Sequence, residues 1–181
     1  MTRADSFDAL VADNAAAVAE FAARAAAIPP DRWDVARAPG KWTPAQETKH
    51  VSLGYQAFVR DLRGEGALRL KGRWWQRRLW RWLILPAILA DGRITRHAPA
   101  PREVRPGDRP GDRTSLLSEL TDSVAGFEAM ILKTHGANRR RRVTHPYFNG
   151  LTLEQLLRLC AVHTRHHAAY LPAGERVVAN R

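Results

Sequence analysis

The sequence predicts an all-α protein: a four-helix bundle whose long crossover between the second and third bundle helices carries an extra Trp/Arg-rich helix. Three observations carry that prediction. Apolar residues recur at helical spacing in four stretches of similar length. Two of those stretches open on a capping box, Thr43-Pro44-Ala45-Gln46 and Thr152-Leu153-Glu154-Gln155. No segment alternates apolar and polar residues well enough to read as a strand.

The first helix spans residues 6 to 28, with Ser6 as N-cap and Phe7, Leu10, Val11, Asn14, Val18, Phe21, Ala25 and Ile28 on one face, and Pro29-Pro30 ends it. The second opens at Thr43 with a proline at its first position, runs through a stripe of His50, Val51, Gly54, Phe58 and Leu62, and ends near Gly64 and Gly66. Residues 67 to 112 read as an insertion within one domain spanning 1 to 181. A Trp/Arg-rich helix near 73 to 90 leads there into a loop holding Pro99, Pro101, Pro106 and Pro110. The third bundle helix fits residues 114 to 134 through Leu116, Leu117, Leu120, Val124, Phe127 and Ile131. An Arg139 to Arg142 run and the turn His145-Pro146-Tyr147-Phe148-Asn149-Gly150 follow. The fourth helix runs from Thr152 to about Leu171 with a stripe of Leu153, Leu156, Leu157, Cys160, His163, His167 and Tyr170, and Pro172 and Gly174 end it.

Composition narrows the classes. With 181 residues, 45% of them hydrophobic, the chain builds one substantial core and is neither disordered nor fibrous. A single cysteine excludes an intrachain disulfide, a CxxC pair or a zinc ribbon, so Cys160 reads as a buried small hydrophobe and any metal needs histidine or oxygen ligands. The longest apolar run, Trp82 to Ala90, falls short of the roughly 17 to 25 residues a bilayer span requires. Residues Met1 to Asp8 carry acids and no apolar signal core, which predicts a cytoplasmic protein. A net charge of +11 attracts anions, but GC-rich coding produces such an arginine excess as readily as selection for a partner does.

The chemistry lies in the histidines. His163 and His167 are one turn apart, about 40° around the helix at roughly 100° per residue, so both rings can address one atom. On an otherwise apolar stripe an unpaired ring costs roughly 1 to 3 kcal/mol, which a shared divalent metal (zinc, nickel or iron) removes. Hydrogen-bonded core histidines would show the same spacing. His50, on the stripe of the second helix, is the best candidate for a third ligand, and three histidines would leave open coordination positions, as a catalytic site does and a closed structural one does not. Glu47, one turn before His50, is a candidate to support a ligand or act as general base, and Tyr55 to orient a substrate, although both also read as helix surface. His166 falls about 60° off His163 and goes to a supporting position or to solvent. His97, His135 and His145 are assigned to loops.

Trp42-Thr43-Pro44-Ala45-Gln46 followed by His50, and His145-Pro146-Tyr147-Phe148-Asn149-Gly150-Leu151-Thr152 followed by His163-Thr164-Arg165-His166-His167, resemble the corresponding segments of the DinB/YfiT-like superfamily. The resemblance covers most of the chain in element order. It implies a four-helix bundle in which His50, His163 and His167 form a three-histidine divalent-metal site, often with dimerisation. Members include thiol S-transferases and metal-dependent hydrolases alongside many without assigned activity. The expectation is therefore a metal-dependent enzyme that activates a water or thiol nucleophile, works on a small molecule such as a low-molecular-weight thiol, and forms a homodimer. One departure concerns the glutamine that members often carry shortly after the last histidine, where this chain has Ala168-Ala169-Tyr170.

The rival signal is Arg73-Trp74-Trp75-Gln76-Arg77-Arg78-Leu79-Trp80-Arg81-Trp82, which mixes aromatic and basic residues as membrane-interface helices and nucleic-acid platforms do. Its stripe of Trp75, Leu79, Trp82, Pro86 and Leu89 is expected to pack on the bundle or on a partner subunit, with Arg77 and Arg81 in solvent. The alternative function is a non-catalytic basic protein that contacts an acidic membrane surface or nucleic acid through this segment. The Arg139 to Arg142 run reads as a solvated loop or as a collector of anionic substrate at the bundle mouth.

Overall fold

The computed structural model describes residues 6–66, 68–94 and 99–172. Four long helices form the bundle: α1 (Phe7–Ala26), α2 (Pro44–Leu62), α5 (Arg113–Ala137) and α6 (Leu153–Ala168), with the short α3 (Trp74–Leu79) and α4 (Leu85–Asp91) in the crossover. His97 and Gly174 lie outside the described residues. No helix among the described residues is long and apolar enough to cross a membrane.

Caps set the starts of the bundle helices. Ser6 Oγ accepts from the Ala9 N–H at 3.1 Å. At α2 the Gln46 N–H donates to Thr43 Oγ1 at 3.2 Å and the Thr43 N–H donates to Gln46 Oε1 at 3.1 Å, and Thr152 and Gln155 repeat the exchange at α6 at 3.0 and 3.1 Å. Each box satisfies two donors that a helix start otherwise leaves orphaned. An Asp112 cap starts α5, and that helix runs on to Ala137. His135 is therefore helical rather than in a loop, and its ring stacks on Phe7 at 3.7 Å.

Helix α2 packs chiefly on α5 and α1 on α6, and further contacts join α1 to α5 and α2 to α6. Phe21, Phe127, Leu120, Ile131, Leu153 and Leu156 fill the space between them with no appreciable exposure. One polar knot crosses this core: the Tyr55 hydroxyl donates to Asn14 Oδ1 at 2.8 Å and sits 3.0 Å from Thr164 Oγ1, tying α2 to α1 and α6. Tyr55 is thus not helix surface: its hydroxyl is committed to Asn14 and Thr164.

Between α5 and α6 the chain forms a hairpin of β1 (Val143–His145) and β2 (Asn149–Leu151), paired antiparallel with Val143 opposite Leu151. The sequence gives no strand signal here because three residues are too few to display alternation. Asn149 takes the left-handed φ of 60° that ends a three-residue hairpin loop, a conformation asparagine tolerates. The hairpin is pinned to the end of α2, where Asp61 Oδ2 accepts from the Thr144 N–H at 3.0 Å and the Asp61 carbonyl accepts from Arg141 at 2.8 Å. His145 is accordingly a half-buried strand residue, and Arg141 lines a separate depression with Leu62 and Met130.

The Trp/Arg-rich helix is not continuous. A π-helical turn over Trp80–Ile84 joins α3 to α4, the Leu85 N–H reaching back to the Trp80 carbonyl, just before Pro86, which has no N–H to donate. The packed side is Trp80, Ile84, Leu85 and Ile88, while the predicted packing residues Trp75, Leu79 and Trp82 are exposed. The two arginines expected in solvent bond to carbonyls, Arg77 to Gly72 at 2.6 Å and Arg81 to Gly150 of the hairpin. A segment apolar on both faces leaves that choice to its neighbours.

Candidate metal centre

The two capping boxes place His50 in the second turn of α2, and His163 and His167 in the last two turns of α6. Packing then brings the three rings together: His163 Nε2 lies 3.3 Å from His50 Nε2 and 3.1 Å from His167 Nε2. One ligating atom from each lies within 4.8 Å of the others. His50 and His167 are buried, and His163 is half-buried.

The outer nitrogens are already committed. His50 Nδ1 donates to the Val104 carbonyl at 2.8 Å, and since a carbonyl only accepts, the proton is on Nδ1 and the Nε2 lone pair faces the cluster. Glu47 Oε2 sits 2.6 Å from His167 Nδ1, and in its ionised form the carboxylate can only accept, which fixes the same tautomer there. His163 can offer one N–H between two lone pairs, so hydrogen bonding alone does not satisfy the trio. A cation does, and the two spacings to His163 Nε2, 3.3 and 3.1 Å, are close to the ~3.3 Å separation expected of nitrogens sharing one metal ion at about 2.0 to 2.1 Å. The residues present fit a divalent ion with histidine ligands. Trp42 closes one side, its ring 4.7 Å from that of His50.

Glu47, whose helical position is equally compatible with exposed surface, is 4% exposed and holds His167. The Val104 carbonyl was missed, since a backbone acceptor has no sequence signature. His166 borders the cluster, its ring edge-to-face on His167 at 5.4 Å and on Tyr170 at 4.6 Å. Cys160 is buried outside the trio, and burial pushes its thiol up.

Burial also tunes the titrating groups. Desolvation lowers His50, and it drives His163 and His167 well below the ordinary imidazole value of 6.5, which keeps them in the neutral form a metal requires. His145 falls to about 3 for the same reason. Burial raises Glu47 to about 7, against the opposing pull of His50, Arg37 and His166.

A pH dependence follows for the metal-free protein. Below about pH 6.5 the unfolded chain takes protons on these four histidines that the folded chain refuses, so stability falls with pH by up to about 1.4 kcal/mol per unit for each group. Glu47 acts oppositely between its ordinary 4.5 and about 7, since the folded chain protonates it first, but it is one group against four. The urea midpoint in chelator is expected to be lower at about pH 5.5 than at about pH 7.5. An equal or higher midpoint at the lower pH contradicts the buried, neutral trio.

The histidines open on a cavity of about 650 Å³. Trp42, Phe58, Trp80, Ile84, Tyr147 and Phe148 give it apolar walls, and Arg37 and Lys41 supply positive charge. In the stretch where the resemblance leads one to expect glutamine, Tyr170 lines the cavity with Arg37 over its ring at 3.9 Å. Arg139 to Arg142 do not line it, so the run is not a collector of anions at this mouth.

Fold and site together define a class, the helical bundles that converge three histidines on an apolar cavity. The chain belongs to the DinB superfamily, whose family model matches residues 15–171. It is similar in structure to YfiT from Bacillus subtilis, described as a probable metal-dependent hydrolase with an unusual four-helix bundle topology. The TM-score is 0.57 at 17% identity, covering 91% of this chain and 82% of that one, a likeness that establishes the fold. No curated protein matches the sequence.

Proposed function

We propose that this protein holds one divalent metal ion on His50, His163 and His167 and activates a water or a low-molecular-weight thiol toward a small-molecule substrate, as a hydrolase or thiol S-transferase. The observation that carries this reading is the convergence of three Nε2 atoms, two on rings whose Nδ1 is already bonded. Held by these three histidines, a divalent cation would supply Lewis acidity of the kind that lowers the pKa of a water or thiol toward neutrality. Zinc, nickel and iron all accept imidazole.

The chain's own residues do the rest. The Val104 carbonyl and Glu47 hold protons at the outer nitrogens of His50 and His167 and so aim both lone pairs inward. Glu47 is in this respect a positioning residue. Arg37 and Lys41 draw anionic groups to the cavity, and its aromatic walls exclude bulk water and favour an apolar substrate body.

Equilibrium dialysis against zinc, nickel and ferrous iron is expected to give about one ion per chain, and a screen pairing thiols with electrophiles, run beside ester and amide substrates, separates the two reaction types. Glu47→Gln should weaken metal binding by roughly 10- to 100-fold while the helical circular dichroism is unchanged. Wild-type metal affinity in that variant would show that Glu47 does not hold His167 for a metal.

A further inference from the structure

The outward face of the crossover segment is the feature the site does not use. Trp74, Trp75, Leu79, Trp82 and Leu83 are 67%, 47%, 49%, 70% and 64% exposed, five of the eight exposed large hydrophobic residues among those described. Such concentration on one short segment is an interaction surface rather than ordinary surface scatter. No acidic residue occurs between Glu65 and Asp91, whereas Arg69, Lys71, Arg73, Arg77, Arg78 and Arg81 do. Arg77 and Arg81 turn to backbone carbonyls, and Arg69 approaches Glu103 at 3.9 Å. Lys71, Arg73 and Arg78 are left exposed beside the tryptophans.

We propose that this face docks the protein on an anionic lipid bilayer surface. Tryptophan rings settle at the boundary between headgroups and acyl chains, leucines enter just below it, and flanking basic side chains reach up to phosphates. Charge selects this occupant over the others. A second copy packed face to face would set this basic face against an identical one, like charge against like. A nucleic acid would use the tryptophans for stacking but would leave Leu79 and Leu83 without a partner. The inner side of the same segment, Trp80, Ile84 and Ile88, lines the histidine cavity, so only the thickness of one helix, roughly 10 Å, separates the docked face from that cavity.

The test is co-sedimentation of the full chain with vesicles of phosphatidylcholine, with and without phosphatidylglycerol, followed also by tryptophan emission. Binding is expected on the anionic vesicles, with a blue shift, and to fall as salt rises. Arg73→Gln and Arg78→Gln should each weaken it about fivefold, and Trp82→Ala roughly tenfold. These side chains are exposed, so the variants keep their helical spectrum. His163→Ala should bind the vesicles as wild type does, which separates this proposal from the metal reading. Equal binding to neutral vesicles, or none to anionic ones, overturns it. So does wild-type vesicle binding by Trp82→Ala, tighter binding to an oligonucleotide, or a dimer that Trp82→Ala dissolves while vesicles stay unbound.

Discussion

Replacing His163 with alanine is expected to lower divalent-metal affinity by roughly 100- to 200-fold and to take the bound ion from about one per chain to nearly none. His163 is the ring whose Nε2 faces both of the others, at 3.3 and 3.1 Å, so its loss dismantles the cluster where loss of an outer ring would trim it. Binding energies on the order of 10 kcal/mol for small histidine and cysteine zinc sites assign about 3 kcal/mol to one ligand of three, which is that factor. The effect also appears as stability. At a hundred times its dissociation constant an ion stabilises the wild type by about 2.7 kcal/mol, and the variant should gain almost none of this. His166→Ala is the internal control, because its ring lies edge-on to His167 and outside the converging trio, so its affinity should stay near that of wild type. Wild-type affinity and stoichiometry in His163→Ala would end the three-histidine proposal.

Phe127→Ala should cost about 3 to 5 kcal/mol, a large share of the 5 to 15 kcal/mol that holds a typical domain together. Phe127 has no exposed surface, and its ring meets Tyr55 edge-to-face at 5.2 Å across the contact of α5 with α2. Truncation leaves a cavity beside Tyr55, whose hydroxyl ties α1, α2 and α6 together and cannot move into it without abandoning Asn14 and Thr164. For a chain of this length the melting temperature should fall by roughly 6 to 20 °C, with a matching drop in urea midpoint. Phe127→Leu, which keeps most of the volume, should lose much less. A Phe127→Ala protein within about 1 kcal/mol of wild type would mean that α5 and α2 do not share one continuous core.

Much of the bundle was legible because its signals are local. A capping box joins two residues three apart, so Thr43 with Gln46 and Thr152 with Gln155 mark helix starts without reference to the rest of the chain. The start of α2 in turn fixes which face carries His50, and the spacing of His163 and His167 needs only the helical repeat. The hairpin and the π-helical turn were hidden for a different reason. Three paired residues and one extra residue per turn are too small to alter a periodicity read over a dozen positions. Arg141 looked like solvated charge because its partner, the Asp61 carbonyl, is eighty residues away in sequence.

By itself, then, the sequence determined the four bundle helices, the caps of α1, α2 and α6 and the histidine-bearing faces, all consequences of backbone geometry over a few residues. Only the tertiary structure decided what those faces meet. It set a Val104 carbonyl from the crossover against His50, buried Glu47 against His167, and closed Trp42 over the trio. It also chose which apolar side of the Trp/Arg-rich segment packs, leaving Trp75 and Trp82 outside. Each of these is a contact between elements far apart in the chain, settled by which groups can satisfy a buried polar atom or fill a gap in the core, and no local pattern records it.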